Sequence, residues 1–155
     1  MPNYFEWQKI ILIDDDSILN LIHKKVLKII GFHETVLDFN NGFQAIEYIY
    51  REIEQSSSTN MDISLIILDL EMPILNGWGF LDRFLILEPQ VREKFKIIVS
   101  SSSKNPEDIK RALEYEVVSE YIPKPITIDI FGRIIWDGIE KDKDKGSGRE
   151  EDFRF

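Results

Sequence analysis

The chain contains no cysteine among its 155 residues. That excludes disulfide scaffolds, thiolate zinc sites and cysteine nucleophiles. Histidine is nearly as scarce: His23 and His33 are the only two, too few for a histidine-rich metal centre. Basic residues are in deficit, 19 Lys and Arg against 28 Asp and Glu, and the net charge is −9. A surface this acidic argues against a nucleic-acid binder, which must neutralise phosphates, and against docking on anionic lipid. Long hydrophobic runs are also missing. No stretch reaches the roughly eighteen apolar residues that a membrane-spanning helix needs. Residues 1–9 (MPNYFEWQK) lack the basic start and apolar run of a signal peptide. A soluble, cytoplasmic protein is expected.

What is present suits one globular domain. Apolar residues make up 43% and charged residues 30% of the chain, enough for a single core at this length. Short apolar runs alternate with longer amphipathic segments. Ile10 to Ile13 reads as a strand buried on both faces and ends in Asp14-Asp15-Asp16. Ser17 to Ile30 has helical spacing and stops at Gly31. Thr35 to Asp38 predicts a second strand, with a turn at Asn40-Asn41-Gly42 and a helix from Phe43 to about Ile53. The Ser-rich segment 55–62 reads as a flexible loop. Ile63 to Leu68 predicts the third strand, ending in Asp69; a helix then runs from Asn76-Gly77 to about Leu87. Phe95 to Val99 predicts the fourth strand, followed by four serines, Ser100 to Ser103. Asn105-Pro106 opens a helix to about Tyr115. Val118 to Ile122 predicts the fifth strand, before Pro123-Lys124-Pro125, and a last helix runs from Ile128 to Lys141. Residues 142–155 are dense in charge and read as a disordered tail beyond a domain spanning 1–141. Five strands alternating with five helices predict a parallel, doubly wound α/β sheet.

Ligands of such sheets bind at the carboxyl ends of the strands. Asp14, Asp15 and Asp16, then Asp69, then the serines, then Lys124 follow successive strands. On one rim they make a carboxylate cluster with a hydroxyl and an ammonium beside it. Crowded carboxylates repel, and a divalent cation relieves the repulsion. Oxygen donors without His or Cys suit Mg²⁺. A lysine neutralises an incoming phosphoryl group and a serine hydrogen-bonds it, while a carboxylate is a competent nucleophile. The residue chemistry alone points to Mg²⁺-assisted phosphoryl transfer onto an aspartate.

The runs ILIDDDS, LIILDLEMPILNGWGF, the serines after KIIV, and YIPKPI resemble the receiver domain of two-component response regulators over residues 8–141. The resemblance implies a flavodoxin-like sheet of strand order 2-1-3-4-5 and a single-domain regulator of the chemotaxis type. It implies that Asp69 is the phosphoacceptor and that Mg²⁺ is held by Asp14, Asp15, Asp69 and the Glu71 carbonyl. Asp15 is then the more direct ligand of the acidic pair. It further implies that Lys124 pairs with the phosphoryl oxygens, that Ser101 and Tyr121 are the switch residues, and that the bond before Pro125 is cis. Ser100 and Ser102 are alternatives to Ser101 within the serine run. The spacing from Ser101 to Lys124 is one residue long, an excess expected to be absorbed near Val117-Val118.

The implied donor is a sensor histidine kinase or a histidine phosphotransfer protein. The implied output is a protein contact made by the fourth helix, fifth strand and fifth helix, including Lys110, Arg111, Glu114 and Tyr115. Too few residues follow Lys141 for an output domain, so nucleic acid and membrane are not expected partners. A rival resemblance is to haloacid-dehalogenase-like phosphatases, through Asp14-x-Asp16, with Asp14 as nucleophile and Asp16 as general acid. Against it, Ile18 stands where Thr or Val is expected. A third reading is a binding module that never meets phosphate. Blander readings stand beside these. Asp16 serves as a helix cap, His23 packs or lies at the surface, Trp7, Trp78 and Trp136 are packing residues, and Tyr121 equally suits ordinary strand packing.

Overall fold

β1 (Lys9–Ile13) and β3 (Ser64–Leu68) are buried along their whole length, as unbroken Ile/Leu runs require in strands covered on both faces. The computed structural model describes residues 7–137. It sets these two strands inside a five-stranded sheet of order β2-β1-β3-β4-β5. β2 (Thr35–Phe39) is one edge; β4 (Phe95–Ser101) and β5 (Val118–Pro123) complete the other side. Every pairing is parallel, so the doubly wound sheet is as the alternating pattern predicts and its order is as the resemblance implies.

Strand alternation divides the core in two. Ile11, Ile13, Ile66, Leu68, Ile97 and Val99 face a core closed by α2 (Gly42–Gln55), α3 (Gly77–Phe84) and α5 (Pro106–Glu114). Ile10, Leu12, Leu65, Ile67, Ile98 and Ile122 face a second core under α1 (Ser17–Ile29) and α6 (Ile128–Asp137). Each fully buried Leu, Ile or Phe here stabilises the fold by roughly 1.5–3 kcal/mol.

Side-chain caps fix where the helices start beside the strand ends. Asp16 accepts from the Ile18 and Leu19 N–H groups at 3.1 and 3.0 Å. Asn41, Asn76 and Asn105 do the same for α2, α3 and α5. Gly31, at φ 98°, ends α1 in the left-handed region.

One expectation is corrected. The helix read from Gly77 to Leu87 stops at Phe84, and a separate turn, α4 (Pro89–Arg92), follows. Pro89 has no N–H to continue a helix but suits the start of one. Arg92 satisfies the carbonyls left open after α3, donating to Leu85 and Leu87 at 2.7 and 2.8 Å. The helix from Pro106, fourth in the sequence reading, is therefore α5. The extra residue of the fifth strand is Ser119: Ile97 pairs with Val118 and Ile98 with Glu120, so the excess is absorbed beside Val117-Val118, as expected. The buried side of α1 is Asn20, His23 and Leu27, whereas Ile18, Leu21, Ile22 and Ile29 are exposed.

The segment 55–62 includes one 3-10 turn, Ser58–Asn60, between α2 and β3, away from the strands' carboxyl ends. Among the described residues no helix is long and apolar enough to cross a membrane. The expectations for residues 142–155 and for the last helix up to Lys141 lie outside the described residues.

Candidate functional site

The sheet order reverses at β1 and β3, which opens a crevice at their carboxyl ends. The ladder carries one residue past each strand: Asp14 N–H donates to the Phe39 carbonyl at 3.1 Å and Asp69 N–H to the Ile13 carbonyl at 2.9 Å. Both carboxyl groups thus leave the sheet at one level. One oxygen from each of Asp14, Asp15 and Asp69 lies within 4.8 Å of the others. Asp14 and Asp69 are buried and Asp15 is exposed. An all-carboxylate set of this span fits a hard cation such as Mg²⁺.

Lys124 reaches the same point from the end of β5. Its Nζ lies 2.6 Å from Asp14 Oδ2 and 3.4 Å from Asp69 Oδ1. The Lys124 N–H donates to the Ser101 carbonyl at 3.0 Å, tying the ends of β4 and β5 together. The Lys124–Pro125 peptide is cis.

Electrostatics separates the two carboxylates by role. Burial first, and the charge of Asp14 second, push Asp69 up to about 6, against Lys124 and the Glu71 backbone N–H. Burial alone would lower Lys124, but the hydrogen bond and charge of Asp14, together with Asp69, raise it above the usual lysine value. Asp14 has both oxygens engaged, Oδ1 by the Asp16 N–H at 2.9 Å and Oδ2 by Lys124. Asp16 is engaged in capping α1. Asp69 is thus the buried carboxylate with the looser partner.

The switch candidates meet at Ser103. Ser101 is buried and its Oγ accepts from the Ser103 N–H at 3.1 Å. Tyr121, half-buried, donates its hydroxyl to the Ser103 carbonyl at 2.8 Å. Ser100 points the other way, into a cavity on the α1 side, and Ser102 is exposed. Glu71 is exposed beside the acceptor loop.

That loop is held tightly. Ile74 sits at φ 70°, a strained conformation for a β-branched residue. A Cβ on Gly77 would meet the Asp69 carbonyl oxygen at 2.5 Å and Leu70 Cα at 2.7 Å, and backbone atoms have no room to yield. Gly77→Ala is expected to destabilise by about 2–3 kcal/mol, read as a lower urea midpoint at unchanged slope.

Sequence reasoning missed Asn20 and His23, which lie under the acidic rim, and the inward face of Ser100. The signal was there: Asn20, His23 and Leu27 share one helical stripe, which a count of apolar residues alone passes over.

Residues 10–134 match the model of the response regulator receiver domain. The chain belongs to that family. Among curated relatives, this receiver domain is 30% identical over 129 residues to Two-component response regulator 24 of Arabidopsis thaliana, covering 83% of this chain and 82% of that protein. It is 26% identical to a protein-glutamate methylesterase/protein-glutamine glutaminase of Paramagnetospirillum magneticum, covering 81% of this chain but 30% of that protein. The chain thus spans under a third of the length of the methylesterase it matches. Among solved structures, a two component response regulator from Cytophaga hutchinsonii aligns with TM-score 0.72 at 25% identity, covering 83% of this chain and 93% of that one. A response regulator receiver protein from Dyadobacter fermentans aligns with TM-score 0.70 at 25% identity, covering 81% and 93%.

Proposed function

We propose that this receiver domain, spanning residues 1–141, accepts a phosphoryl group on Asp69 and reports it through a conformational change to a protein partner. The observation that carries the reading is one ammonium, Lys124, set between Asp14 and Asp69 on a rim where three carboxylates converge. A sensor histidine kinase or histidine phosphotransfer protein supplies the group as a phosphohistidine. Asp69, ionised at pH 7 and above, attacks phosphorus in line. The new Asp–O–P bond forms as the P–N bond breaks, and the imidazole leaves. Lys124 neutralises charge on the transferred oxygens and shields Asp69 from Asp14. Asp14, Asp15, Asp69 and the Glu71 carbonyl would hold Mg²⁺. When bound, the ion supplies charge neutralisation between the carboxylates and the phosphoryl oxygens.

Ser101 transmits the event. Its hydroxyl turns from the Ser103 N–H to a phosphoryl oxygen, and Tyr121 follows through its own bond to Ser103. The loop before α5 thereby shifts, biasing the face of α5, β5 and α6 toward its target. Lys110, Arg111, Glu114 and Tyr115 lie on that face.

Acetyl phosphate with Mg²⁺ is expected to add one phosphoryl group to the wild-type chain, read by intact mass. Chelation with EDTA and the substitution Asp69→Asn should each abolish the gain. Labelling that survives both would remove the reading.

A further inference from the structure

Among the described residues, four buried side-chain polar atoms lack a hydrogen-bond partner. Three of them, Asn20 Oδ1, His23 Nε2 and Ser100 Oγ, belong to residues lining one cavity of about 10 Å³. Buried polar groups without partners are costly, about 1–3 kcal/mol each, and rarely cluster by accident. The other walls are Leu12, Ile13, Ile67, Asp14 and Asp69, so the cavity lies directly beneath the acidic rim, between α1 and the sheet.

Size and chemistry select the occupant. About 10 Å³ is the room one water molecule needs, and a buried water typically makes about three hydrogen bonds. The orphan atoms are neutral and mixed in sense. Asn20 Oδ1 accepts only; its amide is oriented by Nδ2, which donates to the Asp14 carbonyl at 2.9 Å. Ser100 Oγ donates or accepts. Burial holds the His23 imidazole below the usual histidine range, so the neutral ring offers Nε2 in either sense.

We propose that this cavity binds one internal water, held by Asn20, His23 and Ser100, and that these three are positioning residues for Asp14. The water donates to Asn20 Oδ1, Asn20 Nδ2 donates to the Asp14 carbonyl, and the Asp14 carboxylate faces Lys124 and Asp69. His23 and Ser100 never touch a phosphoryl group; they act by keeping the water, and through it Asn20, in place.

The site itself is tested on the full chain with no metal and no phosphoryl donor. A crystal structure at about 1.5 Å is expected to show one water within hydrogen-bond distance of all three atoms. An empty cavity, or His23 Nε2 bonded directly to Ser100 Oγ, overturns the proposal. In solution, water-selective NOE spectra are expected to show a long-lived water at the His23 ring and the Ser100 amide. Ser100→Val, whose added methyl fills the cavity, should lose that signal, and Ser100→Ala, which leaves the room but removes one of the three partners, should weaken it. A signal that persists in Ser100→Val overturns the proposal as well.

The link to Asp14 rests on the metal reading of the preceding subsection and is measured separately, as Mg²⁺ affinity by calorimetry on folded variants. Ser100→Val is expected to bind Mg²⁺ about three- to tenfold more weakly than wild type, and Ser100→Ala to fall between the two. Equal binding by all three would overturn the positioning role. Failure of wild type to bind Mg²⁺ would instead defeat the metal reading and leave the water result standing.

Discussion

Lys124→Met is expected to cost about 2–4 kcal/mol of stability at pH 7.5 in metal-free buffer. Methionine keeps the length and removes the charge. Lys124 is only 19% exposed, and it is the cation within 4 Å of both Asp14 and Asp69. Removing it leaves two buried carboxylates facing each other, and breaking such a pair by deleting one partner typically costs about 3–5 kcal/mol. The residual exposure of Lys124 lowers the figure. Urea titration should show a lower midpoint at unchanged slope. Millimolar Mg²⁺ should restore much of the loss, because the ion supplies the missing positive charge. Transfer from acetyl phosphate should slow by about a hundredfold or more, the usual effect of deleting one charge-stabilising group. A variant as stable as wild type without metal would show that Lys124 does not balance the pair.

Asp69→Asn should act on stability in the opposite direction. Burial and the charge of Asp14 raise Asp69 from 3.8 to about 6, so the folded state holds this proton more tightly than the unfolded chain. The sign follows from linkage. Stability from protonated Asp69 is fully present below about pH 4 and is lost as pH rises through about 6. The ionised group therefore costs the metal-free fold about 3 kcal/mol at pH 8, on the scale of about 1.4 kcal/mol per pKa unit. Asparagine has the same shape and no charge. Calorimetry in EDTA should show Asp69→Asn melting higher than wild type at pH 8, by about 5–10 °C, with the difference gone near pH 4. Mg²⁺ should raise the wild-type Tm more than the variant's, since the variant lacks one ligand. A variant less stable than wild type at pH 8 would mean that the Asp69 carboxylate is well compensated without metal.

The parts of this molecule that sequence makes plain are those where one physical demand dominates. β1 and β3 are apolar after their first residues, Lys9 and Ser64, because helices cover both faces, so their ends, and the aspartates just beyond, stand out in KIILI and SLIIL. The caps Asp16 and Asn105 were readable for the same reason: each must meet free N–H groups at a helix start. Elsewhere two demands compete. In α1 the apolar residues Ile18, Leu21 and Ile22 face outward, while polar Asn20 and His23 are buried, Asn20 donating to the Asp14 carbonyl and His23 packing edge-on against Phe131. Apolar periodicity could not reveal that inversion. The break at Phe84 was hidden because Leu85, Ile86 and Leu87 continue an apolar pattern that the chain does not continue as helix. The extra residue before Lys124 was countable, but its place at Ser119 depends on strand pairing, which no single segment encodes.

The central claim is that the carboxylate at position 69, and not its neighbour at 14, takes the phosphoryl group with help from a divalent cation. The most direct test is to treat the full chain with acetyl phosphate and Mg²⁺, reduce it with borohydride and sequence the peptides by mass spectrometry. An acyl phosphate is reduced at its own carbon, so the product marks the residue that carried it. Homoserine at position 69, formed only when Mg²⁺ is present, is the predicted result. Homoserine at position 14, or no reduced residue anywhere, would contradict the account.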